Sequence, residues 1–273
     1  MASLRSLYRS EIFRLTHRMM PKVMVLALVT LVIGAYLLLW FSSSSLSEAD
    51  LARQKEHLRL ANSPKYGMDI VYQITMLVTV VLASSSIATE YGWGTIRAIV
   101  AKTESRAAFL SAKLLATLTF IVVMSVAGVA CVLAGSAAVT VIGGLESSPG
   151  HDFLVRVLGS VARNVIVLVP YVTLGFLASL WFRATAAGVA LVIVVFYTDV
   201  LLTPLTTTGG ALSWFPENAL IYRNIQGVLG ANALQPAGDL PSAWLGAVVL
   251  AVYSLIFVAL SFWRFETRDV SAA

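Results

Sequence analysis

Residues Glu90 to Lys113 read EYGWGTIRAIVAKTESRAAFLSAK and form a polar stretch between two long apolar runs. Four residues within it recur at the i, i+3, i+4 and i+7 spacing of one helix face: Trp93, Ile96, Arg97 and Val100. Gly92 and Gly94 have no side chains, so another molecule can approach the backbone closely there. The stretch therefore predicts a short helix that lies along the membrane face.

The composition outside this stretch is that of a membrane protein. Of the 273 residues, 58% are hydrophobic and only 12% are charged, against about 25% charged residues in an ordinary soluble domain. A bilayer span needs roughly 20 consecutive, mainly apolar residues. Five runs without Asp, Glu, Lys or Arg meet this need: 23–47, 70–89, 114–145, 164–182 and 240–263.

A sixth span is predicted from Ala184 onward, where Asp199 is the only charge before Pro216. Asp199 lies roughly 22 Å along this span, in a hydrocarbon core about 30 Å thick. One interpretation is a substrate-pathway or proton-relay acid. The other, which we favour, is an acid near the outer rim or one paired with a neighbouring helix.

The fold class that follows is an all-α membrane protein with six transmembrane helices. A single domain covers residues 1–273. The predicted spans are residues 22–41, 69–89, 113–142, 160–182, 184–203 and 243–263.

Residues 1–21 predict an amphipathic helix that lies in the membrane interface. Its apolar residues share one helical arc: Leu4, Leu7, Tyr8, Ile12, Leu15 and Met19. Glu11 and Arg18 intrude on this arc, and Pro21 is expected to end the helix. The alternative is a basic leader that only orients the first span.

Shorter sequence patterns predict a helix cap, close helix packing and a segment that does not cross the membrane. Ser47, with Asp50 three residues later, predicts the start of a helix between the first two spans. The serines at 84–86 predict close helix approach, and Ala130, Ala134 and Ala138 form a seam of small residues at four-residue spacing. Residues 219–229 are too short to cross a membrane and predict a re-entrant or interfacial segment.

The distribution of positive charge predicts the orientation. With the N-terminus inside, twelve of the 19 lysine and arginine residues are cytoplasmic, and the C-terminus is cytoplasmic too. The net charge of +5 then reflects topology and not nucleic-acid binding. Basic groups near the inner surface also favour anionic lipid.

Motifs for chemistry are absent from the sequence. Cys131 is the only cysteine, and His17, His57 and His151 fall in three separate segments, so neither a disulfide nor a metal site is expected. No Gly-Lys dipeptide occurs, which excludes the phosphate loop of ATPases. With no serine-hydrolase or zinc-protease motif either, the chain is not expected to be an enzyme or to hold a cofactor.

The order and spacing of the spans, together with two inner motifs, resemble permease subunits of type-2 ATP-binding-cassette exporters. The motifs are E-Y-G-W-G-T-I-R and S-R-x-x-F-L-x-A-K-L-L between spans two and three. The family pattern resembles E-x-x-x-G-T-x-R, carried here by Glu90, Gly94, Thr95 and Arg97. A weaker match is F-P-E-N-A at residues 215–219.

The resemblance implies a half-transporter in a bacterial or archaeal plasma membrane, exporting its substrate. Two permease copies, or this chain with a related permease, would form the pathway above separate ATPase subunits. Segment 90–112 would supply a cytoplasmic coupling helix, and short outer helices would lie between spans five and six. The implied ATPase-coupling residues are Glu90, Tyr91, Gly92, Trp93, Gly94, Thr95 and Arg97.

Other functions stay open at this point. A secondary transporter or channel-like protein would need no ATPase partner, and a membrane sensor or scaffold would carry no substrate. Segment 90–112 would then be a basic turn that fixes topology. A neighbouring reading frame for a phosphate-loop ATPase would favour the exporter. The apolar spans suit a lipid, an amphipathic peptide or a hydrophobic drug equally.

Overall fold

A computed structural model describes residues 3–42, 47–96, 105–145, 150–204, 218–230 and 240–267. The regular elements in these ranges are all helical. In chain order they are α1 (Leu4–His17), α2 (Met19–Ser42), α3 (Glu48–Leu58), a 3-10 turn (Leu60–Asn62), α4 (Ser63–Tyr66), α5 (Met68–Gly92), α6 (Arg106–Ile142), α7 (Phe153–Phe182), α8 (Thr185–Leu202), α9 (Ile221–Leu229) and α10 (Ala243–Thr267).

Six of these helices, namely α2, α5, α6, α7, α8 and α10, are long and apolar enough to cross a membrane. The prediction of an all-α membrane protein with six candidate spans is confirmed. The helices extend beyond the predicted spans, because α5 continues to Gly92 and α6 begins at Arg106. Ser105 caps α6 by accepting the N–H of Ala108 at 3.0 Å. Residues 90–92 and 106–112 therefore belong to long helices and not to the connecting loop.

The N-terminal segment contains a helix break before the predicted position. α1 ends at His17 and α2 starts at Met19, so Pro21 lies in the first turn of α2. Proline fits there because the first N–H groups of a helix have no intrahelical partner. α1 packs on α6, where the hydroxyls of Tyr8 and Thr119 are 2.9 Å apart. α1 is thus part of the bundle.

The centre of the bundle is formed by α5 and α7. In an apolar stretch of 18 residues in each of these two helices, 67% of the residues are buried, against 17% in the corresponding stretches of α2 and α8. Ser84 donates a hydrogen bond to the carbonyl of Gly175 at 3.3 Å, and a Cβ on Gly188 would lie 2.0 Å from the hydroxyl oxygen of Ser179. The predicted close approach at the serines is confirmed, and it brings α8 against α5 and α7.

The predicted alanine seam does not pack within the chain, because Ala130, Ala134 and Ala138 are exposed. The buried face of α6 carries Gly128 and Ser136 instead. The four-residue spacing identified a stripe of small residues on a helix. It did not determine which of two neighbouring stripes faces the bundle, because both have the same period.

Between the first two spans, Ser47 caps α3 as predicted. Its hydroxyl accepts the N–H of Asp50 at 3.3 Å and donates to the Asp50 carboxylate at 2.6 Å. The capping interaction accounts for the start of this helix at Glu48.

Helix α9 is a buried, nine-residue helix packed against α7, α8 and α10. Just before it, the carbonyl of Ala219 accepts a hydrogen bond from the hydroxyl of Tyr253, in the middle of α10, at 2.9 Å. Near its end, a Cβ on Gly227 would lie 2.6 Å from the carbonyl of Pro241, which precedes α10. α9 therefore runs antiparallel to α10, starting beside the middle of α10 and ending near the N-terminal end of α10. These contacts fit the re-entrant alternative better than the interfacial one.

Candidate functional site

A buried cluster of charges joins α1 to the adjoining ends of α5 and α6. The ammonium of Lys113 lies 3.1 Å from Glu11 Oε2 and 3.3 Å from Glu90 Oε1. Arg14 Nη1 lies 2.9 Å from Glu90 Oε1 and 3.2 Å from Glu11 Oε1. Thr95 completes the group with a hydroxyl that donates to Glu90 Oε2 at 2.6 Å. We call these five residues the Glu90 cluster.

Burial makes the contacts of Lys113 and Glu90 necessary. Lys113 is 1% exposed and Glu90 is 2% exposed. The third donor of the Lys113 ammonium reaches the carbonyl of Ser86 at 2.8 Å, so all three N–H groups have acceptors. Both carboxylate oxygens of Glu90 accept hydrogen bonds. A buried ion pair is tolerated when its hydrogen bonds are complete, and removing one member leaves an uncompensated charge.

The turn after α5 is a helix C-cap built from the E-x-x-x-G-T part of the motif. Gly94 has a φ of 65°, and its N–H donates to the carbonyl of Tyr91 at 3.1 Å. The N–H of Thr95 donates to the carbonyl of Glu90 at 3.1 Å. This pair of hydrogen bonds is the Schellman motif, in which glycine takes the left-handed position. Glu90 and Thr95 are thus joined through both main chain and side chain.

The predicted coupling residues divide into two groups. Glu90 is buried in the cluster, and Thr95 is half-buried against it. Glu90 is therefore not exposed to a partner in this structure, and its predicted role in ATPase coupling stays a prediction. Gly92 and Gly94 are exposed, Tyr91 is half-buried, and Trp93 is 65% exposed, with the Arg18 guanidinium 5.1 Å from its ring centre. Arg97 lies outside the described residues.

Asp199 lies beside the middle of α10 and caps α9. Its side chain is 8% exposed, and its Oδ2 accepts the N–H of Tyr222 at 3.2 Å, in the first turn of α9. Among the described residues, no lysine, arginine or histidine forms an ion pair with Asp199. A carboxylate at a helix N-terminus is stabilised by the unpaired N–H groups and the helix dipole. The structure thus favours pairing with a neighbouring helix.

A cavity of 390 Å³ adjoins Asp199 between α7, α8, α10 and the start of α9. Its other lining is mainly apolar, including Leu174, Val194, Leu220 and Phe257. A single carboxylate in an apolar wall is suited to a ligand that is hydrophobic and carries a donor or a positive charge.

A protein-family model described as a protein of unknown function (DUF2705) matches residues 61–271. The chain belongs to the DUF2705 family. The matched region contains Glu90, Lys113 and Asp199, and it starts after α1. No curated protein matches the chain.

Three members of the Glu90 cluster in this DUF2705 chain were not predicted from the sequence as site residues: Glu11, Arg14 and Lys113. Glu11 interrupts the apolar arc of α1, and Lys113 directly precedes a charge-free run. A single charge on an otherwise apolar helix face is costly to bury alone. The sequence therefore indicated two charges of opposite sign that each needed a partner. They lie 102 residues apart, so the sequence alone did not show that they pair with each other.

Replacing Asp199 tests its role as a cap. Asp199→Leu leaves the first N–H groups of α9 without an acceptor, and we expect the free energy of unfolding to fall by about 1–3 kcal/mol. Asp199→Asn keeps an acceptor oxygen, and we expect a loss of less than about 1 kcal/mol. Chemical denaturation in mixed micelles measures both variants. Equal losses for Leu and Asn would contradict the capping role.

Proposed function

We propose that this chain is the membrane-spanning subunit of an ATP-binding-cassette exporter. It forms the translocation pathway with a second copy or a related permease. ATP is hydrolysed by separate ATPase subunits that dock at the turn after α5, on the cytoplasmic side. In this proposal both termini are cytoplasmic, α1 lies at the inner membrane surface, and α9 lies on the outer side.

The observation that carries the proposal is the Glu90 cluster. It connects the turn at Trp93 and Gly94 to three helices at one end of the bundle, through contacts of 2.6–3.3 Å. α5 then continues from this turn into the centre of the bundle. Closure of the ATPase subunits can drive transport only through a rigid element that they contact. That element must also be continuous with a central helix of the bundle.

The exposed tip of this element suits a partner protein. Trp93 is 65% exposed, and tryptophan is enriched among residues that dominate binding energy at interfaces. Among the residues that the structure describes, a Cβ added at Gly92 or Gly94 would meet no atom within 4 Å, so none of them covers the backbone there. The Arg18 guanidinium beside Trp93 adds positive charge to the same surface.

The orientation in this proposal has a direct test by cysteine labelling in intact cells. In a Cys131→Ser background, we expect Ala52→Cys and His151→Cys to react with an impermeant maleimide from outside, since both positions are exposed. Ser10→Cys and Gly92→Cys, also exposed, should react only after lysis. Labelling of Gly92→Cys in intact cells would reverse the orientation and remove the ATPase-docking surface from the cytoplasm.

A secondary transporter is the second candidate, and the arrangement at Asp199 favours it. Transporters of that class place short helix ends and single ionisable residues near the middle of the membrane. The N-terminus of α9, with Asp199 and the adjoining cavity, has this form.

The two candidates differ in what drives transport. The exporter requires an ATPase, and Asp199→Asn should keep most of its transport rate, because the cap is preserved. A secondary transporter should work without ATP and should lose transport in Asp199→Asn while the protein still inserts. ATP-dependent flux into inverted vesicles, with and without an ionophore that collapses ion gradients, separates them.

A further inference from the structure

An apolar groove of 280 Å³ lies between α1, α2 and α6. Ile12 and Leu15 of α1 and Val25 of α2 contribute to its walls, and Phe120 and Val123 of α6 line it from the bundle side. The groove is separate from the cavity beside Asp199, with which it shares no lining residue.

One lining residue of the groove, Lys22, is charged. It is exposed, and among the residues that the structure describes it forms no ion pair. Glu11, the acid of α1, is already paired with Arg14 and Lys113. Lys22 is therefore available to an anion from outside the chain.

The position of Lys22 along the chain corresponds to the headgroup level of a bilayer. Lys22 directly precedes the charge-free run 23–47, so it marks the end of the hydrocarbon part of span one. The helix surfaces beside the groove are apolar and are not covered by other described residues of this chain, since Leu26 of α2 is 65% exposed and Val126 of α6 is 50% exposed. An occupant can therefore enter the groove directly from the membrane.

We propose that this groove binds one anionic phospholipid of the leaflet on the N-terminal side. One acyl chain fills the apolar groove, and the phosphate contacts the ammonium of Lys22. Charge complementarity selects the anionic headgroup, and the apolar lining selects a chain over a free anion. The site would attach α1, and with it the Glu90 cluster, to the membrane. Lipid binding in this groove requires neither transport nor an ATPase.

The test is lipid retention by the purified full chain, counted by native mass spectrometry. The probes are phosphatidylglycerol and phosphatidylcholine with identical acyl chains. We expect the parent chain to retain phosphatidylglycerol about fivefold more strongly, the effect of one basic residue near a lipid surface. Lys22→Gln should abolish this preference, and Lys22→Arg should keep it. Lys65→Gln, a lysine between α3 and α5, is the matched control and should behave as the parent.

Two further arms test the groove itself. Val123→Trp fills the groove and should lower retention of both lipids, whereas excess inorganic phosphate should not displace phosphatidylglycerol. Equal retention of the two lipids by the parent would overturn the proposal. So would an unchanged preference in Lys22→Gln, unchanged retention in Val123→Trp, or displacement by phosphate.

Discussion

Lys113→Met is expected to lower the free energy of unfolding by about 3–5 kcal/mol, the cost of breaking a buried ion pair by removing one partner. Methionine matches the length of the lysine stem, so packing on α6 is largely retained. The carboxylates of Glu11 and Glu90, each within 3.3 Å of the lost ammonium, would then be close to each other with one fewer cation. Chemical denaturation in mixed micelles, followed by circular dichroism, measures the change.

An exposed ion pair in the same chain is the control. Arg59 and Glu56 are 2.9 Å apart with side chains 37% and 51% exposed, so Arg59→Gln should cost less than about 1 kcal/mol. Glu11→Gln combined with Lys113→Met should lower the free energy of unfolding by less than the sum of the two single changes. In the double variant neither residue leaves the other as an unpaired buried charge. Similar losses for Lys113→Met and Arg59→Gln would show that the Glu90 cluster does not hold α1, α5 and α6 together.

Gly94→Trp is expected to reduce stimulation of the partner ATPase at least tenfold, while membrane insertion stays normal. The new indole would project from an exposed turn into the surface that we assign to the ATPase, and the apolar surfaces that hold the spans would be unchanged. ATP turnover in vesicles containing the chain and the ATPase measures the loss. Arg97→Glu, which reverses a charge in the same segment, should have the same effect.

The chain offers a closely matched control for Gly94→Trp. Gly144 follows α6 in the same C-cap arrangement, with a φ of 58° and, within the described ranges, no atom within 4 Å of its Cβ position. Gly144→Trp therefore introduces the same side chain and a similar backbone strain of about 1–2 kcal/mol, but at the opposite end of α6. Normal stimulation by Gly144→Trp and lost stimulation by Gly94→Trp would assign the effect to the docking surface. Equal losses would assign it to backbone strain.

Five of the six spans were predictable because a charge-free run of about 20 residues has few alternatives to a membrane helix, and the sixth carries Asp199 as its only charge. The cap at Ser47 was predictable because it depends on neighbours three residues apart. The ends of α5 and α6 were not predicted, since polar residues can continue a helix beyond the hydrocarbon. Residues 90–92 were accordingly assigned to the coupling segment 90–112, and they lie in α5.

The candidate site shows a different limit. The motif at Glu90 was identified from the sequence, but the direction of its side chain was not. In E-x-x-x-G-T the glycine and threonine form the C-cap of a helix, which is a local reason for the pattern. Glu90 also contacts Lys113 of the next helix, which is a long-range reason for it. Pairing across 23 and 102 residues depends on how α5 and α1 pack against α6, and no local pattern encodes that packing.

The most direct test of the exporter assignment is affinity purification of the full chain, co-expressed with the phosphate-loop ATPase encoded by a neighbouring reading frame. Parent, Gly94→Trp and Gly144→Trp chains are compared at equal levels of membrane insertion. Our account predicts that the ATPase co-purifies with the parent and with Gly144→Trp, and that Gly94→Trp retains at most a tenth as much. Absence of the ATPase from all three preparations, or equal amounts in all three, would contradict it.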